Sequence, residues 1–79
     1  MKKIVMPRLG LTMEEGTLIK WHKKEGELFK DGEVIFELAT DKIIKDMEAT
    51  FNGKLIKIVV NKGETVPVTT VIAEAEEII

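Results

Sequence analysis

The feature that most limits what this chain can fold into is that it contains itself twice. Residues 16–29 read GTLIKWHKKEGELF and residues 53–66 read GKLIKIVVNKGETV. Gly16, Leu18, Ile19, Lys20, Gly26 and Glu27 fall on Gly53, Leu55, Ile56, Lys57, Gly63 and Glu64. The same shift of 37 carries Val34, Ile35 and Glu37 onto Val71, Ile72 and Glu74. A correspondence sustained over this span without a gap marks two equivalent structural units. Two copies are too few for a stacked array, so the halves are expected to pack as a pair about a pseudo-two-fold axis.

Both halves read as strands. Ile19 and Trp21 alternate with Lys20 and His22, Ile56, Ile58 and Val60 with Leu55, Lys57 and Val59, and Val34, Phe36 and Leu38 with Ile35, Glu37 and Ala39. Period two, rich in β-branched and aromatic residues, predicts half-buried strands, and no useful length shows helical spacing. Strands are expected at about 4–6, 16–23, 34–39, 43–48, 54–60 and 71–76, with weaker ones near Leu28 and Val66. Gly26 and Gly63 sit in Lys-Glu-Gly-Glu and Asn-Lys-Gly-Glu, turns in which glycine takes a positive φ. Neither half can bury its apolar face alone, so the fold is an all-β flattened barrel or sandwich in which the two faces close on each other.

Composition narrows the rest. Seventy-nine residues make one small domain, 1–79, with a modest core. With no cysteine, no disulfide or thiolate metal site can staple it. A formal net charge of −2, with acids and bases interspersed, lacks the basic surplus of nucleic-acid binders. No apolar run reaches the length of a membrane span, and Met1 to Val5 lacks the apolar stretch of a secretion signal. The expectation is a soluble, cytoplasmic, monomeric domain with no nucleic-acid or membrane partner.

One turn stands apart. Glu37-Leu38-Ala39 and Ile43-Ile44 flank a polar break, with Asp41 and Lys42 at the centre of a hairpin. The shift of 37 carries Asp41 and Lys42 onto Ile78 and Ile79, so this hairpin matches the end of the chain. A symmetric body then projects Lys42 from the pole farthest from the termini, where an attachment point for a mobile group belongs. Spacing alone does not single it out, because the chain has eleven lysines and exposed lysines on hairpins are ordinary.

The residues themselves go further. Met6-Pro7-Arg8-Leu9-Gly10-Leu11-Thr12-Met13-Glu14-Glu15-Gly16, Trp21-His22-Lys23-Lys24-Glu25-Gly26-Glu27 and Glu37-Leu38-Ala39-Thr40-Asp41-Lys42-Ile43 are three blocks. Together, and with Gly32 and Gly53 flanking Lys42, they resemble the lipoyl domains of 2-oxo acid dehydrogenase acyltransferases over essentially the whole chain. The opening block is most similar to pyruvate and acetoin types, which implies a two-carbon acyl group. Ala39 stands where the family often has Glu and Ile43 where it often has Ala, differences that bear on partner recognition. The resemblance implies two four-stranded antiparallel sheets and lipoic acid in amide linkage to Lys42. It implies that a lipoate ligase or transferase attaches that group. The partners implied are a thiamine-dependent decarboxylase, an acyltransferase core and dihydrolipoyl dehydrogenase, between which acyl groups are carried. It also implies that the Arg8–Glu15 loop lies near the lysine turn, where recognition and simple solvation of Glu14-Glu15 both stand open.

Other residues carry plainer readings. His22 has no Ser, Cys or second His as a partner and reads as a surface strand residue; Trp21 reads as core or half-core. Adjacent acids on a strand face opposite ways, so Glu14-Glu15 and Glu76-Glu77 do not suit acid–base work. No catalytic residue, metal ligand set or phosphate loop is expected. Two other functions compete. A biotin carrier domain shares the barrel but usually has Met on both sides of its lysine, where Asp41 and Ile43 stand here. An unmodified partner-binding barrel would have no use for Asp-Lys at the symmetric pole.

Overall fold

In the computed structural model, which describes residues 1–78, the backbone forms eight strands and no helix. They are β1 (Lys2–Val5), β2 (Glu15–Trp21), β3 (Leu28–Phe29), β4 (Val34–Ala39), β5 (Ile44–Glu48), β6 (Gly53–Ile58), β7 (Thr65–Pro67) and β8 (Val71–Glu77). All pairings are antiparallel and make two four-stranded sheets, β1-β8-β6-β3 and β5-β4-β2-β7. The repeat maps one sheet onto the other: β2, β3 and β4 become β6, β7 and β8. Between the sheets lie Met6, Leu18, Phe29, Phe36, Leu38, Leu55, Ile72 and Ala75, all buried. Trp21 is half-buried against Phe36, with ring centroids 5.3 Å apart, and its Nε1 donates to the Val60 carbonyl.

Simple alternation fails at four points, and the symmetry explains where. An extra residue bulges out of the ladder at Ile19 in β2, at Ile35 in β4, at Ile56 in β6 and at Ile72 in β8. Each bulge shifts the inward phase by one residue. Leu18 and Trp21 therefore face the same core although three positions apart, as do Leu55 and Ile58. Ile35 and Phe36 are both buried despite being adjacent. The face expected from Ile56, Ile58 and Val60 holds at Ile58 and Val60 and is corrected at Ile56, which occupies the bulge while Leu55 is fully buried. β1 also begins earlier than the expected residue 4, because Lys2 and Lys3 are held by backbone pairing to Ala75 and Glu74.

The turns repeat too. Gly26 and Gly63 take φ of 90° and 91°. The Lys30–Glu33 turn places Gly32 at φ 89°, and the Pro67–Thr70 turn places Thr69 at φ 72°, one shift of 37 later. Lys23 bonds Glu33 at 2.9 Å, and this contact with the Lys30 amide holds the exposed Glu33 carboxyl below its ordinary range. Gly53 shows why a glycine follows the hairpin: a Cβ there would lie 2.8 Å from the Glu76 carbonyl oxygen and from both the Phe29 and Phe51 rings.

Strand pairing also fixes which end is which. Lys2 lies against Ala75, so the start of β1 and the end of β8 share one end. At the other end of β1, Met6 packs on Gly16, whose neighbour Thr17 pairs with Ala39, the last residue before the lysine turn. The Thr40–Ile43 turn and the chain's first residues are therefore at opposite ends. Ile79, the symmetric counterpart of Lys42, lies outside the described residues.

Candidate functional site

β4 and β5 run side by side from Val34↔Glu48 to Ala39↔Ile44, and four residues close the hairpin. The Thr40 amide donates to the Ile43 carbonyl at 2.8 Å, which leaves Asp41 and Lys42 as the two central residues. Both are exposed, and neither has a positive φ. A two-residue hairpin usually demands positive φ at its centre, hence glycine. Here the Thr40 hydroxyl substitutes: its oxygen accepts from the Lys42 amide at 3.2 Å and the Ile43 amide at 3.1 Å. Sequence reasoning passed over Thr40, although a threonine one residue before a turn centre is the type that bonds forward amides.

The Lys42 amine makes no hydrogen bond or ion pair among the described residues. It is a primary amine on a rigid two-strand mount, with nothing to release before it reacts or moves.

The long β1–β2 connection lies against this turn. Leu9, Gly10, Thr12 and Met13 line a recess of about 200 Å³ with Thr40, Asp41, Lys42 and Ile43. A second cleft of about 480 Å³ runs between Thr12–Glu15, Ala39–Asp41 and Thr65. Its charged lining is wholly acidic: Glu14, Glu15 and Asp41. The loop has its own structure. Arg8 donates to the Leu11 carbonyl, the Met13 amide to the Gly10 carbonyl, and the Leu9 amide to the Met13 sulfur. Met13 is the anchor, buried beside Gly16, where a Cβ would stand 3.1 Å from its methyl carbon. Leu11 at the loop tip is 97% exposed, and Ile43 and Ile44 are exposed beside the lysine. Lys42 thus emerges among apolar side chains with acids to one flank. Of the other candidates, Glu14 and Glu15 join this surface, while His22 and Trp21 lie elsewhere on β2 and its end, away from the turn.

Residues 2–75 match the biotin and lipoyl family described as "Biotin-requiring enzyme". The chain is 46% identical over 81 residues to the dihydrolipoyllysine-residue acetyltransferase component of the pyruvate dehydrogenase complex of Rickettsia bellii, covering 96% of this chain and 19% of that protein. It is 51% identical over 71 residues to the corresponding component of Rhizobium meliloti, covering 89% of this chain and 16% of that protein. The chain thus spans less than a fifth of the length of these relatives. The solved lipoyl domain of the 2-oxoglutarate dehydrogenase complex of Azotobacter vinelandii superposes with a TM-score of 0.80 at 33% identity, covering 95% of each chain.

Proposed function

The chain belongs to the biotin and lipoyl carrier family, as a lipoyl domain, and from that premise we propose that Lys42 is its attachment residue and that it carries a two-carbon acyl group in a pyruvate dehydrogenase complex. The observation that carries this is the amine of Lys42, exposed and unpaired among the described residues at the centre of a turn fixed by Thr40. The geometry suits an amide-linked arm, since a neutral lysine nitrogen can attack an activated carboxyl and the turn leaves it approachable. An ordinary lysine is almost wholly protonated at neutral pH, so attachment needs a ligase or transferase that binds this hairpin. Lipoic acid, once bound, supplies a disulfide ring able to accept and hand on an acyl group; the protein supplies position.

The domain itself acts as a carrier and not a catalyst in this proposal. Its rigid hairpin holds the arm's root away from the body, and tethering raises the arm's effective concentration at each enzyme it visits. Relatives named for the pyruvate dehydrogenase complex support pyruvate as the source of the acyl group. The thiamine-dependent decarboxylase would read the loop and acidic cleft beside the hairpin. Asp41 and Ile43, in place of flanking methionines, support lipoate over biotin. The test is co-expression with a lipoate ligase: the protein should gain one lipoyl group by intact mass, and Lys42→Ala should gain none while keeping its circular dichroism spectrum. Incorporation into folded Lys42→Ala would remove the assignment.

A further inference from the structure

We propose that His22, Glu37 and Asp46 form a surface site for a divalent transition-metal ion of the zinc type, on the outer face of the β5-β4-β2-β7 sheet. The three residues come from three neighbouring strands or their ends. Asp46 on β5 pairs with Glu37 on β4, and His22 follows β2, its amide bonded to the Ile35 carbonyl at 2.8 Å. Their ligand atoms all lie within 4.8 Å of one another. His22 Nε2 and Glu37 Oε2 are 2.6 Å apart, joined by a proton. A metal ion would sit between them: with the ring hydrogen on Nδ1 the Nε2 lone pair is free to bind it, and the exposed Asp46 carboxylate closes the set. One imidazole and two carboxylates on a rigid sheet, with water in the open positions, suit a Zn²⁺-like ion.

The internal repeat provides the control. Glu37 corresponds to Glu74, His22 to Val59, and Asp46 to Lys3, because Lys3 pairs with Glu74 as Asp46 pairs with Glu37. Lys20 opposite Glu37 has its equal in Lys57 opposite Glu74, so it cancels in the comparison. The second sheet thus sets a cation across from its glutamate. The first sets a second acid there and adds an imidazole. Like charges directly opposite on a sheet are destabilising, and a bound cation relieves them.

The test is titration of the untagged chain with ZnCl₂ at neutral pH in a non-coordinating buffer, followed by NMR. His22 is the only histidine, so its ring signals are unambiguous. One equivalent should move the His22 ring and the amides near residues 22, 37 and 46. His22→Val should weaken binding at least about tenfold. Asp46→Lys, which copies the other half, should abolish binding and raise the melting temperature without zinc. An unmoved His22 ring, shifts centred on the Glu14-Glu15-Asp41 cleft, or wild-type binding by either folded variant would overturn the site. Asp46→Lys decides the matter if His22→Val does not fold.

Discussion

Thr40 does for the Asp41-Lys42 turn what a glycine does in many two-residue hairpins. Its oxygen accepts from the two amides that the turn would otherwise leave to water. Thr40→Ala should lower stability by about 1 kcal/mol. It should also speed hydrogen exchange at the Lys42 and Ile43 amides and slow lipoylation. Unchanged exchange at those amides would show that the hydroxyl does not hold the turn. Thr69 is the converse case. A β-branched residue at φ 72° is strained, and the equivalent turn of the first half uses Gly32 there. Thr69→Gly should therefore stabilise the fold by about 1 kcal/mol in urea denaturation. A loss of stability would mean that the Thr69 side chain makes up for its backbone.

At the scale of elements, the hairpin specifies direction as well as exposure. Exchanging its two central residues, Asp41→Lys with Lys42→Asp, keeps composition and changes stability by less than about 1 kcal/mol. The amine moves one position along the turn and points elsewhere, so lipoylation should fall sharply in a protein whose circular dichroism is intact. Efficient modification at residue 41 would show that hairpin geometry does not select the site. The β1–β2 loop is the second element of the surface. Replacing the exposed tip Leu11-Thr12 by Gly-Ser, which leaves the buried Met13 and β2 in place, should slow reductive acylation by the proposed decarboxylase partner and leave lipoylation as it was; equal acylation rates would reduce the loop to a linker. These elements were unequally legible in the sequence. The matched residues of β2 and β6 and of β4 and β8 announced the sheets, and the polar break announced the turn. The bulges at Ile19, Ile35, Ile56 and Ile72 were hidden, because an extra apolar residue among apolar neighbours leaves no mark on composition. The β1–β5 equivalence was hidden as well. These edge strands are mostly exposed and held by backbone pairing, so their side chains were free to differ, as Lys3 and Asp46 do.

The whole molecule is two like halves that differ in length at one place. Strands β2 to β4 map onto β6 to β8 with a shift of 37, whereas Ile4 and Met47 occupy equivalent places 43 apart. The difference is an insertion between β1 and β2. It lies beside the Lys42 turn and builds the recess and the acidic cleft there. The symmetry puts one lysine at the pole opposite the start of the chain, and in the proposed function the insertion gives that pole a surface to be recognised by. Ten other lysines are spread over the same body, most of them exposed as well. Placement alone therefore has to account for selection. The direct measurement is tandem mass spectrometry of peptides from the wild-type chain after co-expression with a lipoate ligase. All of the lipoyl group should be found on Lys42; a lipoyl group mapped to any of the other ten lysines would contradict the account.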